Sequence, residues 1–585
     1  MDSTSVSLWV RAEPFDCGAI HVPLPPKLTL HNLHKLSIYS RSKGKAGYPK
    51  ISFSLWKHVA CNKLGLKEDQ AWMYFETFDM LSDSSFKNTQ LWAKQSSQCR
   101  TQAEIAQLRN QVSVHLLQFV IFLFIQQIHK ISFKASLVSG AEEWPIHSRS
   151  PDLDHKGSVA VKSLDEHDHL TFVLHHLNEI LELLMEPDSG GGDSAVTESH
   201  LTLEAVDALG FLFIGTTDGK KIQQLQDLSR LQSEVNRSGY SKLCRSFSFR
   251  QFQTWLRSTL QINPYGVSEV LSQGKHKGDQ SILSLSDTFE ELSIAKHSEQ
   301  CASKESSIKG RIMTNVNFAP AVQRLVIMSQ ICKQTVAKAS DTYAGSNLKI
   351  HRCHYSYIYV LCPLRSVTIT KCHDSTIVLG CVNTAVNIIG CQNVLFIMIS
   401  NQVSMSACLN CSFHLCTPTR PLILTGNEGL TLAPYHTFYP KLEEHLKSPW
   451  GVATFPNEWN NPLLLGNGHS EYLDDSSCPE VYREMPLEDF FTFNIPFNMK
   501  GSTDGSPIPL PEKYENALQD RENIISGWYQ TVKDASLNKP QRAQLQGIVQ
   551  KRFQDWLTES GNGSQLNGLV PPHSSKSSTS DHSKH

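Results

Sequence analysis

Thiols are the most regularly spaced reactive groups in this chain. Cys353, Cys372, Cys391 and Cys408 stand 19, 19 and 17 residues apart, Cys408-Leu-Asn-Cys411 adds a CxxC pair, and His351, His354 and His373 lie beside the first two cysteines. Thiolates and imidazoles hold zinc when four of them converge on one point. Thiols in register along stacked strands, about 4.8 Å apart, do not converge. The series is therefore read as a buried ladder of small hydrophobes, and no metal site is expected. A second cluster, His167-Asp168-His169 with His175-His176, sets His169 and His176 two turns apart on a helix with no third ligand and no HExxH, so these histidines read as solvated or capping groups. The chain has no GxxxxGK[ST] and no GxSxG, and its one glycine run, Gly190 to Gly192, sits in a polar stretch. Nucleotide-cradling and acyl-transfer chemistry are thereby disfavoured, and no cofactor is expected.

The cysteines belong to a repeat. Leu348-Lys-Ile350-His-Arg-Cys353, Val367-Thr-Ile369-Thr-Lys-Cys372, Val386-Asn-Ile388-Ile-Gly-Cys391 and Val403-Ser-Met405-Ser-Ala-Cys408 each alternate apolar and polar residues, as half-buried strands do. A second short apolar run follows each cysteine: Tyr357 to Leu361, Ile377 to Leu379, Val394 to Ile399, Phe413 to Leu415. The period is too short for two packed helices. It suits one coil of a parallel β-helix with three short sides, whose coils stack to bury a core that no single repeat could bury.

The whole chain of 585 residues exceeds what one core holds, and its net charge of -2 gives no electrostatic case for nucleic acid or an anionic membrane surface. Fifteen cysteines without a basic-then-apolar N-terminus read as reduced and cytosolic, which leaves the sequons at Asn236, Asn410 and Asn562 without meaning. The run Phe119 to Ile125 is about half a bilayer span and reads as a buried helix. Residues 1–270 form a mostly helical region: a strand or arm at Val6 to Val10, then helices at Lys67 to Ser82, Gln102 to Lys130, Leu170 to Met185, Leu201 to Phe213 and Phe249 to Leu260. A polar loop is expected over Ala141 to Asp168, and a flexible stretch begins at Pro187. Residues 271–315 read as a flexible linker, 316–465 as the coil stack with irregular turns from Pro421 closing its end, and 466–560 as an extension. That extension carries a C-terminal helical hairpin broken at Asn538-Lys-Pro540, whose helices are expected to be antiparallel neighbours; 561–585 is a disordered tail. The fold class is thus α+β and multidomain.

The segment Cys416-Thr-Pro-Thr419-Arg420-Pro421-Leu422-Ile423, followed by Tyr435, Phe438-Tyr439-Pro440 and Pro456-Asn-Glu-Trp459-Asn460, resembles the domain shared by tubulin-binding cofactor C, the X-linked retinitis pigmentosa protein and the cyclase-associated proteins. Leu8 to Pro14, Ser54 to Cys61, Gln111 to Gln127 and Thr254 to Arg257 extend the resemblance to the rest of the chain. The resemblance implies a right-handed parallel β-helix, in agreement with the periodicity. It further implies kinship with GTPase activators of tubulin or Arf-like GTPases, which use an arginine finger worth about three to five orders of magnitude in rate. Counted back from the Thr419-Arg420-Pro421 turn, the finger position falls on Ser404, with Gln402 nearby. A serine hydroxyl cannot neutralise phosphoryl charge, so the resemblance implies a non-enzymatic adaptor. The alternative is an activator using Arg420 or Arg365, and a weaker one is a tubulin-folding factor. The implied partners are cytoskeletal or centrosomal proteins, tubulin or an Arf-like GTPase among them. The implied location is cytoplasm, centrosome and spindle pole, with a part in Golgi position and cell shape.

Overall fold

The apolar run around Phe119 folds as the helix Leu116–Ile125, and nine of its ten residues are buried. A helix apolar on every side must be surrounded by protein. Phe119 packs edge-on against Trp56 at 5.0 Å and against Phe75 at 5.7 Å, with Phe78 tilted at 5.3 Å. These rings bring the helices Phe53–Val59 and Glu68–Leu81 onto its flank. Gln126, at the C-terminal end, is the polar tie of this core. Its Nε2 donates to the Gly18 and Phe122 carbonyls, and its Oε1 accepts from the Ile20 amide, at 3.0 to 3.2 Å.

The structure, a computed structural model, describes residues 6–20, 25–82, 91, 95, 98–99, 101–128, 166–186, 200–217, 219, 221–231, 237–276, 310–465, 481–497 and 499–559. Most of the predicted loop at 141–168, the stretch after Pro187, the middle of the predicted linker and the tail 561–585 lie outside them. The described part of the linker segment is structured at both ends, as the helix Val267–His276 and the strand Arg311–Thr314. Among the described residues no helix is long and apolar enough to cross a membrane.

The N-terminal region is mostly helical, with short strands added. Ser7–Val10, expected as a strand, pairs antiparallel with Phe213–Thr216 and parallel with Leu260–Gln261. The single helix predicted from Gln102 to Lys130 is instead two, Gln102–Gln111 and Leu116–Ile125. Ser113–His115 between them leaves the helical path to pair antiparallel with Lys50–Ser52, so the strand's backbone groups find partners on another segment. The helix expected over Leu170 to Met185 is likewise broken at His176, giving Glu166–His175 and Leu177–Glu182.

The repeats form a β-solenoid of about six turns. One side is built by parallel pairing of Leu325–Ser329, Asn347–His351, Ser366–Thr370 and the ends of Thr376–Ile389 and Leu395–Ser406. In register, Leu348, Val367, Val386 and Val403 form one buried column and Ile350, Ile369, Ile388 and Met405 another. A second side pairs Thr335–Lys338, Tyr357–Val360, Thr376–Ile389, Leu395–Ser406, Ser412–Cys416 and Leu430–Pro434, also in parallel. Leu430–Pro434 was expected to be irregular. Its alternating Leu430 and Leu432 instead continue the stack, and Tyr482–Glu484 pairs beyond it.

Each cysteine sits at a corner between two residues of left-handed backbone. Arg352 and Tyr355 flank Cys353, Lys371 and Asp374 flank Cys372, Gly390 and Asn393 flank Cys391, and Ala407 and Asn410 flank Cys408, all with φ between 48° and 64°. Glycine and asparagine tolerate this conformation best, which accounts for part of the corner composition. The Cys353 amide points at the Cys372 sulfur 3.5 Å away, and at the far end the Cys408 amide meets Asn427 Oδ1 at 2.9 Å. Asn427 therefore caps the ladder, a role the cysteine spacing did not reveal. Burial pushes the Cys372 and Cys391 thiols well up. A brief iodoacetamide pulse on the native protein is expected to label exposed Cys244 and Cys332 and to leave Cys353, Cys372, Cys391 and Cys408 unlabelled, read by peptide mass mapping. Native labelling of the four would contradict the ladder.

The described residues divide into two compact units. The first joins the N-terminal region to the coil stack, and Leu422, Leu424 and Leu465 of the stack belong to the same apolar cluster as Phe119. The second takes in the described residues of 485–500 and 509–559, with the helices Glu512–Asp534 and Lys539–Glu559, while 501–508 belong to the first. Tyr514 anchors the first of these helices, its ring against Phe490 at 4.7 Å and its hydroxyl donating to the Met485 carbonyl at 2.7 Å. Trp528 on the first helix and Trp556 on the second are 46% and 51% exposed.

Candidate functional site

The coil that carries Gln402 and Ser404 lies against the N-terminal region. Alternation along the strand Leu395–Ser406 turns Val403 and Met405 into the stack and Gln402 and Ser404 outward. Ser404 stands in register between Asn387 and Leu422. Its Oγ donates to Asn387 Oδ1 at 2.6 Å, and the Asn387 amide in turn donates to the backbone carbonyl of Asp16. Gln402 is buried, with its Nε2 on Thr77 Oγ1 at 2.9 Å.

Around this coil, charge pairs run across the same seam. Lys349 Nζ is 3.2 Å from Asp16 Oδ2. Arg365 Nε is 3.0 Å from Glu13 Oε1, and Arg11 approaches the other oxygen of Glu13 at 3.5 Å. Burial alone would raise the Glu13 carboxyl, but Arg365 and Arg11 outweigh it and hold it below the usual carboxylate range. Burial likewise opposes the charge on Lys349, and Asp16 together with Glu166 and Cys17 more than offsets it, so the ammonium is held above its ordinary value.

The Thr419-Arg420-Pro421 turn is tied into the fold on all sides. Thr419 Oγ1 donates to the Asn401 carbonyl at 2.6 Å. Arg420 donates from Nε to the Asn461 carbonyl and from Nη2 to the Pro462 carbonyl, both at 3.0 Å, and its Nη1 is 3.0 Å from Asp69 Oδ2. The Pro421 carbonyl accepts from Leu463 at 2.7 Å. Beside the turn, a cavity of about 700 Å³ is lined by Trp72, Phe75, Glu76, Asn401 and Thr419 among others. Burial pushes the Glu76 carboxyl up to about 7, against the pull of Arg109.

Of the residues singled out by sequence, the structure brings Gln402, Ser404, Arg365 and Arg420 to the seam, each engaged with its own chain. The histidines are separated: His169 stacks on Phe15 at 4.6 Å, while His176 pairs with Glu179 at 2.7 Å. His351 bonds Thr370 at 2.6 Å, and His354 lies against His373 at 4.0 Å. Sequence reasoning missed Glu13, Asp16, Asp69, Thr77 and Asn387. A signal for Asp16 and Asn387 exists: Lys349 and Asn387 occupy outward positions of the repeat, where a partner for a charge or an amide must come from outside the stack.

The Tubulin binding cofactor C family matches residues 345–463, the coils that carry this site. Over 98% of both chains, this protein is 43% identical to TBCC domain-containing protein 1 of Bos taurus and 43% identical to that of Homo sapiens. To that of Danio rerio it is 42% identical, over 100% of this chain and 96% of the relative. The chain belongs to the TBCC domain-containing protein 1 family. The similarity to these family members runs through the N-terminal region as well as the coils, so both sides of the seam fall within the shared length. Membership in this cofactor C-related family also agrees with the β-solenoid and with the Thr419-Arg420-Pro421 turn inside the matched residues.

Proposed function

We propose that the chain is a non-enzymatic cytoskeletal adaptor acting in centrosome and Golgi positioning, microtubule organisation and cell shape. Its place is the cytoplasm, at the centrosome and spindle poles, and its partners are cytoskeletal or centrosomal proteins, with tubulin and Arf-like GTPases as candidates. The observation that carries the reading is the engagement of Ser404, which the resemblance sets at the finger position: its hydroxyl bonds Asn387, whose side-chain amide bonds the Asp16 backbone. A phosphoryl-transfer activator needs a guanidinium free to enter the nucleotide site. Arg365 and Arg420, the other candidates, are engaged by Glu13 and by Asp69 with two backbone carbonyls. The family name, which links the relatives to cofactor C, supports the cytoskeletal part.

In cells, depleting the protein is expected to alter the positions of the centrosome and the Golgi, with rescue by the full chain. A full-length tagged protein should concentrate at the centrosome. Normal organelle positions after depletion, together with a diffuse tag, would sink the proposal.

A further inference from the structure

The cavity of about 700 Å³ beside the Thr419-Arg420-Pro421 turn has the volume of a small-ligand site. The helix Glu68–Leu81 lines it with the rings of Trp72, Phe75 and Phe78, and Glu76, one turn beyond Trp72, adds a carboxyl. The coil stack contributes Asn401.

Two acceptors on these walls are short of donors. Asn401 is 3% exposed and fixed in place. Its backbone carbonyl accepts from Thr417 Oγ1 at 3.2 Å and Thr419 Oγ1 at 2.6 Å, and its Nδ2 donates to the Asn383 carbonyl. Only the amide nitrogen can donate to a carbonyl, so this bond settles which side-chain atom is the oxygen. That oxygen, Oδ1, is buried without a partner. A buried acceptor in this state is costly and calls for a donor. The Glu76 carboxyl takes a hydrogen bond from Trp72 but forms no ion pair among the described residues. Arg109 attracts it without pairing, because its guanidinium stacks on the Trp72 ring with Cζ 4.7 Å from the centroid. Burial therefore wins, and the carboxyl rises to about 7.

The charges around the cavity favour a cation. Glu76 and Asp79 line it, and Glu458 adds to the negative field on Glu76. Against these three carboxyls stand Arg109 and the exposed Lys50. His115 also lines the cavity, and burial lowers its imidazole below the ordinary value, against Asp207 and Glu204, so it is neutral at pH 7. A flat cation suits the aromatic wall, and a guanidinium carries enough N–H groups to fork onto a carboxylate and still reach another acceptor. We propose that this cavity binds a guanidinium ion, stacked on the rings, with two N–H groups on the Glu76 carboxylate and a further one on Asn401 Oδ1. Such a group comes from an arginine side chain of a partner or from a free guanidine.

Isothermal titration of the full chain with phenylguanidine tests the site. Binding at one site is expected, with an affinity that rises about tenfold from pH 6 to pH 8 as Glu76 loses its proton. Glu76→Gln keeps the shape of the side chain, so its melting temperature should not fall below that of the wild type. It should weaken binding at pH 8 about tenfold or more and flatten the pH profile. Titration with N-acetylarginine methylamide and with agmatine identifies the source: tighter binding of the first supports a partner's arginine, and tighter binding of the second a free guanidine. No binding of any of the three at millimolar concentration would overturn the proposal. So would an affinity that falls from pH 6 to pH 8, as for a ligand that accepts from the protonated carboxyl, or a Glu76→Gln protein that binds as tightly as the wild type.

Discussion

Replacing Ile388 by aspartate is expected to unfold the coil stack, whereas the same change one residue later, Ile389→Asp, should leave it folded. Ile388 is fully buried, with Ile369 and Met405 above and below it in register. A carboxylate placed there loses its hydration and finds no partner, and the cost of several kcal/mol is comparable with the whole stability of a domain, about 5–15 kcal/mol. Ile389 points to the other face, half-buried between Thr370 and Ser406. Side-chain alternation makes the two outcomes opposite. Thermal melts followed by circular dichroism, with limited proteolysis, check them; equal effects at the two positions would contradict the register.

The second large effect is expected at the seam. Glu13→Gln should destabilise the first unit by about 3 to 5 kcal/mol, the usual cost of removing one partner from a buried ion pair. The mutation leaves the Arg365 guanidinium without an anion while Arg11 stays close by. Because burial is outweighed by the two arginines, the folded carboxyl titrates below its unfolded value of about 4.3. Its contribution is therefore complete above that unfolded value, declines as pH falls below it, and is gone once pH drops through the depressed folded value. The gap between wild type and Glu13→Gln in urea denaturation should be constant from pH 8 to about pH 5 and close in stronger acid. A gap under about 1 kcal/mol, or one that persists unchanged in acid, would show that the pair does not hold the seam.

The coil stack was readable because its information is local and periodic. Strand alternation and the regular return of cysteine follow from one corner geometry repeated from coil to coil. The N-terminal sheet was hidden because its strands are two to four residues long, too short for alternation to stand out, and their partners lie far away in sequence. The helix expected through residues 102–130 failed for a related reason: three residues of strand, Ser113–His115, interrupt an apolar pattern that still reads as helical on both sides. The seam was the least legible feature. Lys349 and Asp16 are 333 positions apart, Gln402 and Thr77 are 325 apart, and nothing in the spacing of either member points to the other. The motif turn pointed to the coil of Gln402 and Ser404, but that this coil faces the chain's own N-terminal region required the folded structure.

That arrangement gives the central claim its most direct test. Single-turnover hydrolysis of GTP preloaded on tubulin or on an Arf-like GTPase should be measured with and without a molar excess of the full chain. On the proposed reading, which sets Ser404 at the finger position while Arg365 and Arg420 pair with Glu13 and Asp69, the rate is predicted to stay within about twofold of the GTPase alone, since that reading leaves no finger to supply the acceleration. An acceleration of about three orders of magnitude or more, lost in Arg365→Ala or Arg420→Ala, would contradict the account and make the chain an enzyme.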